Sequence, residues 1–175
     1  MDRRMALIGL GSALGPILAA NWSSRAMAET TSASFHYSSY RRNTLLISSI
    51  SRQASDIALR RATNAKVKQF AGLERAEQLT LEQVLNGVQN PPLAPVDAGH
   101  RADLDKLNNL PAGASFDMAY VSAEIDGHKS LLGLQDDLLR AHPDPSNGQA
   151  HIAYFMRTFI FEHLALLTDI QSDYK

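Results

Sequence analysis

The chain of 175 residues contains no cysteine. That excludes disulfides, thiolate metal sites, thiol chemistry and a lipid-anchored cysteine, so stability must come from the core. Nor is there an excess of charge of one sign. With 17 basic and 18 acidic residues the formal net charge is −1, which leaves no basic footprint for nucleic acid. Strand-like alternation of apolar and polar residues is missing over any useful length, and no internal repeat is visible. No Ser/His/Asp set has a nucleophile-elbow context. The one glycine-rich string, "GLGSALG" at 9–15, lies in an apolar N-terminal stretch with no strand before it, so it is not a phosphate loop.

The first residues carry a targeting pattern. Asp2-Arg3-Arg4 precedes an apolar run from Met5 to Ala20, and a small-x-small triplet, Ala26-Met27-Ala28, follows. A charged start, an apolar centre and such a triplet predict an export signal over residues 1–28, cut before Glu29. The apolar run is short for a membrane span and contains Gly and Pro, which argues against a retained anchor. The arginine pair resembles a twin-arginine signal, although Met5-Ala6-Leu7 fits that pattern loosely, and general secretion stays open. Removal takes three basic residues and one acidic residue, leaving 14 against 17 and a net charge of −3. The expected location is the periplasm. Residues 29–40, "ETTSASFHYSSY", are rich in Ser and Thr without periodicity and predict a flexible segment.

From Arg41 onward the apolar spacing is three and four. Leu46, Ile47, Ile50, Ala54 and Ile57 mark a first long helix, and Arg61 ends the stripe. Asn64 is the expected N-cap of a second, with Val67, Phe70, Ala71, Glu74, Gln78, Leu81 and Leu85 on its inner face. "NPPLAPVDAG" stops that helix near Gly87. A short helix fits "HRADLDKLNNL". Ser115 reads as the cap of a third long helix to Ala141, with Phe116, Tyr120, Ala123, Gly127, Leu131, Leu134 and Leu138 inward. A fourth runs from Gln149 to Ile170, with Ile152, Phe155, Phe159, Leu166 and Ile170 aligned. Four stripes are buried most simply by an all-α antiparallel four-helix bundle over residues 41–175. Short links at 63–64 and 142–148 join neighbours, and the long link between the second and third helices predicts a ferritin-like crossover.

Several polar residues fall on these inner faces. Glu74 sits at the centre of the second stripe with Gln78 beside it. His163 follows Phe159 by four and precedes Leu166 by three, whereas Glu162 is about 100° away, toward the edge. Asp117, Glu124, His128 and Gln135 form a column on the third helix. A buried carboxylate needs a partner, a metal or a proton. Two readings follow: a structural polar network, or one transition-metal ion held by Glu74, Glu124, His128 and His163. A complete di-iron carboxylate site does not fit, because the chain has no Glu-x-x-His and the first helix offers no inward carboxylate, Asp56 lying off its stripe. His36, His100, His142 and His151 fall in predicted loops or helix ends and are not assigned to a site.

Three stretches, "ALRRATNAKVKQFAGLE", "FDMAYVSAEIDGHKSLL" and "FEHLALLTDI", occur in an order that resembles the exported bacterial proteins of domain-of-unknown-function family 4142, often labelled outer membrane proteins. The resemblance covers about residues 45–171, and the spacing of Phe116-Asp117, Tyr120 and His128 is its most specific part. It implies a ferritin-like helical fold, a periplasmic or peripheral outer-membrane location and a role in envelope or stress physiology, with no activity attached. His128 and His163 match the family's recurrent histidines. Glu77-Gln78 stands where the family has an acidic residue followed by His, and "SISRQAS" where it often has a Glu. The sequence therefore predicts an exported helical binding module without enzymatic activity. The alternatives are a metal-binding protein or metal-dependent oxidase, and a structural homo-oligomer using Phe155, Phe161 and Leu167.

Overall fold

Short-range chemistry sets most of the helix ends. Asn64, in extended backbone, accepts a hydrogen bond from the Lys66 amide at 2.8 Å and starts a helix that closes at Gly87, whose φ of 68° suits glycine. Asp97 caps the next helix, accepting from the amides of Gly99 and His100. The computed structural model describes residues 37–174 apart from 143, 145 and 147. Within them lie five helices and no strand: α1 (Tyr37–Arg61), α2 (Ala65–Asn86), α3 (Ala98–Asn109), α4 (Ala114–Ala141) and α5 (Gly148–Ser172). The domain is all-α, as expected. The predicted export signal at 1–28, the segment 29–36 and His36 lie outside the described residues. No helix among the described residues is long and apolar enough to cross a membrane.

Two helix starts differ from expectation. α1 begins at Tyr37 rather than Arg41 because Tyr37 packs on Tyr40, with ring centroids 5.6 Å apart, and the buried Tyr40 hydroxyl donates to Gln135 of α4 at 2.7 Å. Ser115 is not the cap of α4. The chain enters through Gly113, whose φ of 125° a side chain would resist, and Ser115 is already helical.

Cross-helix bonds give the directions. Arg41 of α1 bonds the Leu85 carbonyl and Asn86 at the far end of α2, while Asp56 pairs with Arg75, so α1 and α2 are antiparallel. Arg157 pairs with Asp136, and α4 and α5 form a second antiparallel hairpin. Ser51–Glu124 and Ser55–Tyr120 bonds align α1 against α4, also antiparallel. It follows that α2 and α4 run the same way, which requires the long link carrying α3.

α1 is surrounded by α2, α3 and α4, and this explains its serines. Ser48 donates to the Gln78 carbonyl, Ser49 to the Ala94 carbonyl, and both are fully buried. Small hydroxyls let neighbouring helices approach while satisfying backbone and carboxylate oxygens. Asp117 does a comparable job at the α1–α2 turn. Its buried carboxylate accepts from the Thr63 and Asn64 amides at 3.0 Å each, from the Thr63 hydroxyl at 2.7 Å and from the Tyr174 hydroxyl at 3.2 Å.

α5 corrects the expected stripe. Ala150, Ala153, Ile160, His163, Leu167 and Ile170 face inward, whereas Phe155, Phe159 and Leu166 are exposed and Ile152 is half-buried. Both sets have helical spacing, and the larger aromatics marked the wrong one. Leu167, expected on an outer face, is fully buried.

Apolar packing falls into one cluster around Phe70, Phe116, Tyr120 and Leu167 and another around Tyr40, Leu131, Leu138 and Ile160. The polar layer described next lies between them.

Candidate metal centre

Three atoms converge in that layer. Glu74 comes from α2, His128 from α4 and His163 from α5, all buried. Glu74 Oε2 lies 2.9 Å from His163 Nδ1 and 3.3 Å from His128 Nε2, and the two imidazole nitrogens are 3.0 Å apart. Phe70 packs against both rings, with centroids 5.1 Å from His163 and 6.1 Å from His128.

The outer partners orient these atoms. His128 Nδ1 is 2.7 Å from the Glu124 carbonyl, an acceptor only, so Nδ1 carries the proton and the Nε2 lone pair faces the centre. His163 Nε2 lies 3.3 Å from Glu77 Oε1, which favours a proton there and a lone pair at Nδ1. With both imidazoles neutral, three lone pairs point at one another. Glu74 Oε2 is accordingly a buried oxygen with no hydrogen-bond donor, although two ring nitrogens lie close to it.

The other oxygen of Glu74 is well held. Oε1 accepts from Gln78 Nε2 at 2.7 Å and from Ser51 Oγ at 2.7 Å. Ser51 Oγ also lies 2.8 Å from Glu124 Oε2. One hydroxyl has one proton and cannot donate to both carboxylates at once. Burial, followed by the charge of Glu74, pushes the Glu124 carboxyl up to about 8, so Glu124 is the one that holds a proton of its own. Burial would also raise Glu74, but the charge of His128 and the hydrogen bonds that both histidines donate when protonated overcome it and hold Glu74 low.

Glu74, His128 and His163 thus meet, while Glu124 does not join them. The nearest approach of its carboxylate to His128 is 3.8 Å, at Nδ1 on the far side of the ring. Glu162 is exposed. His100 lies at a helix end as expected, in the first turn of α3, where it is buried and its Nδ1 bonds the capping Asp97 at 2.6 Å. His142 caps the end of α4, and His151 is exposed near the start of α5. Sequence reasoning missed the parts played by Ser51 and Glu77. Ser51 had a signal, since it follows Ile47 by four and precedes Ala54 by three on the inner face of α1. Glu77 stands at the edge of its stripe, where a solvated charge is equally at home, and its spacing carried no signal.

In the absence of an ion, a proton must relieve the three facing lone pairs. Burial would lower His163, but its bonds to Glu74 and Glu77 outweigh that and raise it to about 10. Its charged form is therefore stabilised by folding. That contribution is complete below the ordinary value of 6.5 and is lost as pH rises through about 10. Glu124 acts in the same direction, since the fold holds its neutral form up to about 8 against an ordinary 4.5. The melting temperature in chelator is expected to fall between pH 7 and pH 10, and a flat or rising profile would contradict this account.

Fold and site together define a class: an all-helical domain with a buried histidine–carboxylate cluster joining two hairpins. The model of the family described as domain of unknown function, DUF4142, matches residues 23–146, and the chain belongs to that family. The match contains Glu74 and His128 and stops before α5, so His163 and the "FEHLALLTDI" stretch lie beyond it. No curated protein and no solved structure matches the chain.

Proposed function

We propose that this domain binds one divalent transition-metal ion through Glu74 Oε2, His128 Nε2 and His163 Nδ1, and serves as an exported binding module with no reaction of its own. The triangle of ligand atoms carries the reading. Two donors at about 2.1 Å from a metal and 90–109° apart are separated by about 3.0–3.4 Å. The three observed separations are 2.9, 3.0 and 3.3 Å. Two imidazoles and a carboxylate suit Zn²⁺, Fe²⁺ or Mn²⁺, and the outer acceptors on both rings are those that histidine ligands require.

A structural polar layer is the second reading, supported by a different observation. A protonated His163 placed between Glu74 and Glu77 satisfies both carboxylates without an ion. Metal analysis of the purified chain, with titration of Zn²⁺, Mn²⁺ and Fe²⁺ into chelated protein, separates the two. The metal reading expects about one equivalent bound and a higher melting temperature on addition. Less than about a tenth of an equivalent, with an unchanged melting temperature, sinks it.

Topology and the leader support the fold family and the location. Antiparallel hairpins with α2 and α4 running the same way favour a ferritin-like four-helix arrangement, though without its Glu-x-x-His ligands. The charged start, apolar run and Ala26-Met27-Ala28 support export to the periplasm, with any outer-membrane association peripheral. Cell fractionation and N-terminal sequencing test this; a chain retained in the cytoplasm with its first residues intact overturns it.

A further inference from the structure

Phe155 and Phe159 of α5 are 67% and 42% exposed. They form one wall of a groove of about 350 Å³ whose opposite wall includes Leu81 and Val84 of α2. The groove lies between two helices that touch only lightly, near the His163–Glu77 contact, and Glu77 also lines it. The helix faces that wall it, continued beyond the groove by the exposed Leu73 and Leu166, have a pattern. On α2, Leu73, Glu77, Thr80 and Val84 are spaced four, three and four. On α5, Ile152, Phe155, Phe159 and Leu166 are spaced three, four and seven. That is the seam spacing of packed helices, here on faces turned away from the core.

Seam spacing on both walls suits a third helix lying in the groove. The described residues offer one candidate for that helix, α5 itself, because the residues that wall the groove are also its outward apolar stripe. A surface that is at once groove and filler is self-complementary about a twofold axis. Taking about 200 Å² for a whole phenylalanine, Phe155 and Phe159 together leave roughly 200 Å² uncovered. Leu73, Val84 and Leu166, each about half exposed, bring the apolar face to roughly 400 Å² per copy. Two such faces, with the roughly 40% polar share that interfaces carry, make roughly 1,300 Å² in total, within the range of stable dimers.

We propose that two copies of this chain associate face to face across the α2–α5 groove, each placing Phe155 and Phe159 of α5 in the other's groove. Phe161 is outside this face. It lies six residues from Phe155, about 240° around the helix, and takes the Arg157 guanidinium over its ring at 5.6 Å. Dimerisation would cover Glu77 and close the surface nearest His163.

Sedimentation equilibrium of the purified chain in chelator tests this without involving an ion. At about 50 µM, well above the micromolar range of weak dimers, the mass is expected to be twice that of one chain, which is 19.2 kDa with residues 1–28 and less once they are removed. Phe155→Glu and Val84→Glu are each expected to give monomers with unchanged helical circular dichroism. These residues are exposed, so neither substitution disturbs the core. Phe161→Glu is expected to remain dimeric. A wild-type monomer overturns the proposal, whether the groove is then filled by the chain's own first residues or by a small apolar molecule. So does a dimer that survives both groove substitutions, or one that Phe161→Glu dissociates.

Discussion

Alanine in place of His163 is expected to reduce bound metal from about one equivalent to under a tenth and to weaken affinity by more than about a hundredfold, because it removes one of three ligands. His128→Ala should do the same. The contrast that gives this meaning is Glu77→Gln. Glu77 touches the outer nitrogen of His163 and not the centre, at 3.3 Å, so its loss should weaken binding by about tenfold, the usual scale for a group that orients a ligand. Affinity for the wild type is expected to rise by about tenfold per pH unit between pH 7 and pH 9, because the ion must displace the proton that His163 holds up to about 10. Isothermal titration across that range, with circular dichroism to confirm that each variant is folded, reads all of these. Equal losses from Glu77→Gln and His163→Ala would argue for a packing effect instead of ligation. In chelator, His163→Ala should also lower stability, since Glu74 is then a buried carboxylate facing one histidine where it had two.

Asp117→Ala is expected to destabilise the chain by about 3 kcal/mol, close to 10 °C in melting temperature for a chain of this size. Its carboxylate is buried and answers two backbone amides and two hydroxyls at the α1–α2 turn. Removing it leaves the Thr63 and Asn64 amides without their acceptor in a half-buried place. Asp117→Asn keeps one acceptor oxygen and should cost about 1 kcal/mol. Neither change should alter metal stoichiometry, because the turn is remote from the triangle. A melting temperature within about 2 °C of wild type for Asp117→Ala would show that the turn is held by other means. Phe116-Asp117 carries much of the resemblance to the family, and the structure gives that pair a folding role: the ring fills the core while the carboxylate ties the preceding turn.

How legible this was in the sequence varied from element to element. The extent and inner face of α2 were readable, because the stripe from Val67 to Leu85 is fuller than the outer face, where Glu77 and Thr80 separate Leu73 from Val84, and both ends carried local caps, Asn64 and Gly87. Glu74 and His163 could be placed inward from spacing alone. α5 misled because it carries two stripes. Its small buried residues, Ala150 and Ala153, were outweighed by Phe155 and Phe159, which face the groove. α1 hid its role for a related reason. Helical periodicity scores a serine as polar surface, yet a helix with neighbours on three sides buries its serines and uses them as donors. Ser51, between two carboxylates, is the clearest case. The separation of Glu124 from the triangle depends on which nitrogen of the His128 ring faces each glutamate, and residue spacing contains no information about that.

The proposed ligands are divided between the two hairpins. Glu74 belongs to the α1–α2 pair, and His128 and His163 belong to the α4–α5 pair, with the whole of α3 and its flanking links between them in the chain. Each hairpin can form from local contacts, but the centre exists only after the two have docked. On the proposed reading, an ion can bind only after that docking. Bound metal should therefore leave the refolding rate nearly unchanged and slow unfolding by the whole of its stabilisation, acting as a clasp on a structure already made.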